Sequence, residues 1–340
     1  MYHKRIVVDF DDTLAFHENR KFDDALPNEP LISKLNDLFD QGWQIDIFTA
    51  RGSISCKTRE EARQKYEESI VAWLGKYGVK YNELSFDKPL AAYYIDDKGI
   101  MPDDFLDVNI RELEGGLSGT EIYTDGKVVH KQDNAAHSTR DWFDTATRAG
   151  ISVPKIHRVV GETVTMDYID HDEDYFDSNF HMSLGIIQTQ LVKMKEVKPK
   201  DSLDYSSYVL RIKEHARNAG DIFIENADKL HSFDLKRSFS HGDFGIKNML
   251  FKNCGVTLID PICNVFGCTE IDAAKFIASL IINRYDFSKV KLGFAYMALV
   301  NNINESELKV LVAAEITRVY KYHPNKQFIK ESITNVYKYL

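Results

Sequence analysis

The rhythm of the sequence changes once, near Leu106, and that change restricts the chain to two unlike folds joined end to end. Before it, short β-rich runs alternate with helical patterns: RIVVDF, a helix near Glu29 to Gln41, WQIDIFTA, a long helix near Thr58 to Lys76, and AAYYID. This alternation predicts an α/β Rossmann-like parallel sheet with crossover helices over residues 1–107. After it comes a hairpin-like segment in which Gly115, Gly116 and Gly119 supply one turn and Asp125-Gly126 supplies another. A helix near Ser138 to Ala149 follows, then the strand-like pieces KIHRVV and TVTMDY joined by Gly161-Glu162. The remainder is mainly helical, broken by SFSHGDFGIKNML and GVTLIDP. Residues 108–340 therefore read as an α+β domain, a small β-rich lobe preceding a larger helical one.

Composition bounds the function. With 340 residues, 44% hydrophobic and 28% charged, the chain is long enough for two globular domains. Its net charge of −9 is the wrong sign for a broad nucleic-acid or anionic-lipid surface, although a local basic pocket is compatible with it. Cys56, Cys254, Cys263 and Cys268 contain no CxxC pair and read as reduced thiols. The N-terminus lacks a secretory apolar region, and the longest apolar stretches fall short of the about 20 residues of a membrane span. The expectation is a cytoplasmic protein whose partners are small molecules, with neither nucleic acid nor membrane among them.

Two segments carry chemistry. VVDFDDTL places Asp9 and Asp11 two residues apart after an apolar strand, at the end where open parallel sheets bind ligands. Crowded carboxylates there call for a hard divalent cation, and an Asp held against a phosphoryl group can attack it. Thr49 ends IDIFT, Lys88 precedes Pro89, and Asp96 and Asp97 follow AAYYI. This order, DFDDT, Thr49, Lys88, Asp96-Asp97, resembles the haloacid dehalogenase-like phosphatases across roughly the first 105 residues. The resemblance implies Asp9 as nucleophile, Asp11 as general acid/base, Asp9, Asp11 and Asp96 as Mg²⁺ ligands, and Thr49 and Lys88 on the phosphate. The gaps between motifs hold only the crossover helices, so the site is expected to be capless. Arg51 and Arg20 read either as substrate contacts or as solvated surface arginines.

In HGDFGIKNML, His241, Asp243 and Asn248 have the HxDxxxxN spacing of a kinase catalytic loop, and Asp260 follows twelve residues past Asn248 at the end of VTLI. Upstream, EGGLSGTEIY is a glycine turn between strands, and Lys131 ends VVHK. The ordered set resembles aminoglycoside phosphotransferases and choline kinases over roughly residues 110–285, including a hinge-like MDYID and a structural Asp at Asp272. It implies Asp243 as catalytic base, Asn248 and Asp260 on Mg²⁺, and ATP held by Gly116, Ser118, Gly119 and Lys131, with Met166 and Tyr168 at adenine. His241 reads as structural. The family pairs its Lys with a helix Glu; here only Asp141 and Asp144 are available, and Pro261 replaces the usual aromatic residue after the metal-binding Asp. No site is readable in the last seventy residues.

The reading is a bifunctional enzyme: a Mg²⁺-dependent phosphatase working through an aspartyl phosphate, fused to an ATP-dependent small-molecule kinase. By analogy with phosphatases of capsule biosynthesis, sugar, polyol or amino-alcohol phosphates of surface-polysaccharide precursor metabolism are the expected substrates. The alternative is an active phosphatase regulated or capped by a nucleotide-binding pseudokinase. Polynucleotide ends are disfavoured by the net charge and by the lack of a GxxxxGK[ST] loop, and a protein kinase by the lack of an APE-like segment.

Overall fold

The computed structural model describes residues 4–17, 25–91, 94, 99–113, 121–198, 204–217, 219–233, 235–263 and 265–340. Arg20, Asp96, Asp97, Gly115, Gly116, Ser118 and Gly119, named above, lie outside them, as does most of AAYYI. The chain divides into two compact units, Met1–Ile110 and Arg111–Leu340.

The first unit runs β1 (Arg5–Asp9), β2 (Ala15–Phe16), β3 (Leu26–Pro27), α1 (Glu29–Asp40), β4 (Gln44–Phe48), α2 (Arg59–Lys76), β5 (Glu83–Ser85) and α3 (Pro102–Asp107). Among the described residues the parallel sheet has three strands, in the order β1-β4-β5, with Asp9 opposite Phe48 and Phe48 opposite Ser85. The carboxyl ends are therefore level, which brings the loops after all three strands to one edge. The third strand is one the sequence reading did not name, and the expected strand AAYYI falls mostly outside the described residues. That third strand is the three-residue ELS, too short to register as a run of its own, whereas Ala91 and Tyr94 of the expected strand lie in none.

Both crossover helices begin where local chemistry dictates. The Asn28 side chain accepts from Leu31 N (3.3 Å) ahead of α1, and Thr58 Oγ1 accepts from Glu61 N (3.1 Å) ahead of α2. α1 turns Leu31, Ile32, Leu35 and Leu38 inward, and α2 turns Ala62, Ile70, Trp73 and Leu74. With Ile45 and Ile47 they form a dry core, in which Trp73 meets Phe10 edge-on at 5.1 Å and its indole N–H donates to Ala25 O (2.9 Å).

The second unit opens with β6 (Arg111–Glu112), β7 (Ile122–Thr124), β8 (Val128–Gln132), α4 (Ala136–Arg148), β9 (Ile156–Val160) and β10 (Thr163–Asp167). The strands form one antiparallel sheet in the order β6-β7-β8-β10-β9. The β7-β8 turn closes because Gly126 adopts φ +88° and Asp125 Oδ1 accepts from Lys127 N and Val128 N, each at 2.8 Å. A helical lobe follows: α5 (Tyr175–Ser178), α6 (Phe180–Glu196), α7 (Tyr205–Ala216), α8 (Asp221–Lys229), the hairpin β11 (Met249–Lys252) and β12 (Gly255–Leu258), then α9 (Thr269–Ile282), α10 (Phe287–Asn301), α11 (Glu305–Val319) and α12 (Lys326–Tyr339). Its core is continuous from Trp142 through Ile187, Phe223, Phe244 and Phe276 to Val336. No helix among the described residues is long and apolar enough to cross a membrane.

Candidate active sites

In the second unit the loop 241–248 is built by α9. The Asp272 carboxylate, in the first turn of that helix, accepts from His241 N (2.7 Å) and Gly242 N (3.0 Å). Gly242 has φ +75°, and a Cβ there would stand 2.5 Å from Ile262 O, so the position admits only glycine. The His241 ring is buried between Trp142 (5.3 Å) and Phe244 (5.8 Å), both edge-on, and burial pushes its pKa down to about 4. It touches no open space and serves as packing.

So anchored, the loop presents Asp243. Its Oδ1 meets Lys275 Nζ at 2.9 Å and its Oδ2 accepts from Asn248 Nδ2 at 2.8 Å. Burial raises the pKa, yet Lys275, followed by Arg318, outweighs it and holds the carboxyl below its ordinary range. About a third of the side chain remains exposed. Asn248 spends its amide on Asp243 and keeps its carbonyl oxygen as an acceptor.

Asp260 arrives from the other direction. Ile259 N donates to Asn248 O (3.0 Å) at the open end of the β11-β12 hairpin, so Asn248 and Asp260 stand side by side. Asp260 has φ +59° and pairs with Lys131 of β8, the residue directly opposite Val164. This corrects one expectation: the carboxylate partner of Lys131 is Asp260, while Asp141 is exposed and Asp144 lies 3.9 Å from Arg140. An Asp is one methylene shorter than Glu, and α4 turns both outward. The Met166 side chain is buried with Ala136 and Val164, and the Tyr168 hydroxyl accepts from Arg111 Nη2 at 2.6 Å.

Four residues that the sequence reading missed complete the site from behind. Lys275 also approaches Glu315 Oε2 (3.7 Å); Glu315 accepts from Arg318 Nη1 (2.6 Å) and from the Tyr208 hydroxyl (2.9 Å). Glu315 is wholly buried; burial raises its pKa, but Arg318 and then Lys275 more than offset that. The last seventy residues thus do carry site residues. For two of them a signal was visible: Glu315 and Arg318 are a charged pair in the mostly apolar VLVAAEITRV.

In the first unit β1 ends at Asp9, whose carboxylate pairs with Lys88 and accepts from Phe10 N (2.9 Å). Burial raises the Asp9 pKa against the pull of Lys88. Thr49, fully buried after β4, donates from Oγ1 to Asp11 Oδ2 (2.9 Å), and Arg51 Nε donates to Asp11 Oδ1 (3.1 Å). Arg51 is 7% exposed and lies over the Phe10 ring at 5.0 Å, so it is no solvated surface arginine. His17 Nε2 stands 3.0 Å from Arg51 Nη2 and 3.6 Å from Asp11 Oδ1. Arg59, first residue of α2, ties the loops together through Ser53 Oγ (2.7 Å), Arg51 O (3.0 Å), Thr49 O (3.3 Å) and Phe86 O. A cleft of about 470 Å³ opens beside Lys88, lined also by Ser53, Lys57 and Arg59.

The structure therefore brings Asp9, Asp11, Thr49 and Lys88 together in one unit and Asp243, Asn248, Asp260 and Lys131 in the other. Among the described residues no three Asp, Glu, His or Cys side chains gather as a metal cluster. The donor set of the second unit, one carboxylate and one free amide oxygen, nonetheless suits a hard cation that takes its remaining ligands from phosphate and water. In the first unit Asp9 and Asp11 are the described members of such a set.

No family model and no curated protein matches the chain. Among solved structures, a choline/ethanolamine kinase family protein from Mesorhizobium loti is 11% identical with a TM-score of 0.51, covering 68% of this chain and 87% of its own. A choline kinase from Cryptosporidium parvum is 10% identical with a TM-score of 0.47, covering 68% and 88%. A target protein from Vibrio cholerae is 28% identical with a TM-score of 0.29, covering 31% and 89%. The chain thus contains a kinase-like α+β fold, over about the share of its length that the second unit occupies.

Proposed function

We propose that the second unit is an ATP-dependent kinase acting on an alcohol group of a small molecule, and that the first unit is a Mg²⁺-dependent phosphatase. The observation that carries the kinase reading is the pairing of two half-sites, Asp243 between Lys275 and Asn248, and Asp260 against Lys131. In this reading Asp243 accepts the proton of the acceptor hydroxyl while that oxygen bonds to the γ-phosphorus and the bond to ADP breaks. Lys131 neutralises the nucleotide phosphates. Asn248 and Asp260 would hold Mg²⁺, which would supply neutralisation of phosphate charge.

In the first unit Asp9 is the nucleophile toward phosphorus, Lys88 and Thr49 hold the phosphoryl oxygens, and Asp11, oriented by Arg51, carries the proton to the leaving alcohol; water, giving its proton to Asp11, then attacks phosphorus and the bond to Asp9 breaks, releasing phosphate. Asp96, assigned to the metal, belongs to the same proposal. Two opposing activities on one position would only hydrolyse ATP, so the units act at different positions, in successive steps or under reciprocal control. Sugar, polyol or amino-alcohol phosphates of surface-polysaccharide precursors are the substrates this reading favours.

A second reading, a regulatory nucleotide-binding unit, draws on the direct Lys131–Asp260 pair and the lack of a carboxylate on α4 facing Lys131. One experiment separates the two. ADP formation is measured with Mg²⁺ and ATP against a panel of sugars, polyols, amino-alcohols and their phosphates, and phosphate release is measured from the phosphorylated members. The proposal expects Asp243→Asn to abolish the first activity only and Asp9→Asn the second only. ATP binding without any acceptor-dependent ADP would favour regulation.

A further inference from the structure

The cleft beside Lys88 in the first unit, about 470 Å³, is of the size that holds a small metabolite. Lys57, Arg59, Asp87 and Lys88 give it its charge, and Pro89 and Leu90 an apolar wall. The four charged groups are not equally engaged. Lys88 is paired with Asp9. Asp87, the one carboxylate in the lining, accepts from Ser85 Oγ (3.2 Å) and is drawn to Arg63 of α2. Arg59 gives four N–H groups to neutral oxygens, Ser53 Oγ, Thr49 O, Arg51 O and Phe86 O, and keeps one on Nη1. Lys57 spends its backbone N–H on Glu61 Oε2 (2.8 Å), while its exposed ammonium has no carboxylate within ion-pairing distance among the described residues. Two cations, two residues apart, thus line one open cleft without a counter-ion at contact distance.

An anion bound between them neutralises both, whereas a neutral ligand neutralises neither. Resting on the phosphatase reading above, we propose that the leaving alcohol of the phosphatase substrate occupies this cleft and carries a second acidic group, a carboxylate or a phosphate, held by Lys57 and the remaining Arg59 N–H, while its phosphoryl group sits at Asp9 and Lys88. Pro89 and Leu90 face its carbon chain. The arrangement divides the cations by task. Lys88 serves the phosphoryl group, and Lys57 with Arg59 reads the rest of the molecule. An amine in the same place meets Lys57, Arg59 and Lys88 against Asp87 alone, so amino-alcohol phosphates are the poorest substrates. Phosphates of sugar acids or hydroxy acids, and bisphosphates, are the best.

The test uses the full chain with Mg²⁺ and follows phosphate release. Substrates are offered as a matched set of phosphate monoesters whose leaving alcohol ends in a hydroxyl, a carboxylate, an amine or a phosphonate, the last standing for a phosphate that cannot itself be released. The proposal expects kcat/KM for an anionic member to exceed that of the hydroxyl member by about 10-fold, the amine being poorest. Lys57→Met should erase most of that ratio through KM, and Lys57→Arg should restore part of it. The side chain is exposed and its link to Glu61 runs through the backbone, so neither change loosens α2. The carboxylate and phosphonate arms identify which anion is read. Equal rates across the set, or a preference for the amine, overturn the proposal and leave the phosphatase reading standing, and an anion preference undiminished in Lys57→Met overturns the cleft as its source. Release from no member counts against the phosphatase reading, and the cleft is then tested by the rise in Tm that each monoester produces. A larger rise with the anionic members that Lys57→Met loses supports an anion site at Lys57, and equal rises overturn it.

Discussion

Asp243 is held from both sides, so its two neighbours are expected to fail differently. Lys275→Met removes the charge that keeps the carboxyl ionised, and its kinase rate should fall by roughly 100-fold or more, most steeply below neutral pH. Asn248→Ala should instead raise the Mg²⁺ requirement, which a metal titration of ADP formation reads directly. His241 makes a stability prediction. Its pKa near 4 in the fold, against about 6.5 in the unfolded chain, means that the unfolded state takes a proton the fold refuses. Stability present above pH 6.5 is therefore lost as pH falls toward 4, by on the order of 3 kcal/mol. Asp272 acts in the opposite sense, since burial pushes its carboxyl up to about 7 against the amide donors of His241 and Gly242, and it costs the fold stability as pH rises toward that value. The two offset one another in the wild type. Comparison with His241→Phe isolates the histidine: the variant's denaturant midpoint should fall less than the wild type's between pH 6.5 and 4.

The elements that position these residues have their own weak points. The loop 241–248 depends on Gly242, where φ is positive and Ile262 O leaves no room for a Cβ. Gly242→Ala should cost more than about 1 kcal/mol and misplace Asp243, seen as a lowered Tm together with lost ADP formation. In the first unit the N-cap of α2 also places Arg59, which ties the strand-end loops together. Thr58→Ala should lower stability by about 1 kcal/mol and reduce phosphate release by loosening Thr49 and Arg51. The starts of α1 and α2 were legible in the sequence as helical patterns beginning near Glu29 and Thr58. The third strand was not: ELS has too few residues for a period, and only pairing with β4 makes it a strand.

At the scale of the whole molecule, each unit has its own core and its own acidic site, so the second should survive alone. A fragment of residues 111–340 is expected to fold cooperatively and bind ATP with unchanged affinity, which calorimetry on the fragment and on the full chain checks. The residues proposed to carry chemistry, Asp9, Asp11, Thr49 and Lys88 in one unit and Lys131, Asp243, Asn248 and Asp260 in the other, were legible because each stands at a strand end or in a loop of fixed spacing. Local sequence determines such positions. The partners that set their charge were not legible, since Lys275, Glu315, Arg318 and Arg211 lie on three helices far apart in the chain and meet only where those helices enclose a common low-dielectric floor. The same holds for Lys131, whose carboxylate partner was sought nearby on α4 and proved to be Asp260. Order along the chain specified the candidate groups and the kinase-like fold of the second unit; only tertiary structure decided which charges face each other, because electrostatic pairing depends on distance through space and on burial, and neither is written in sequence separation.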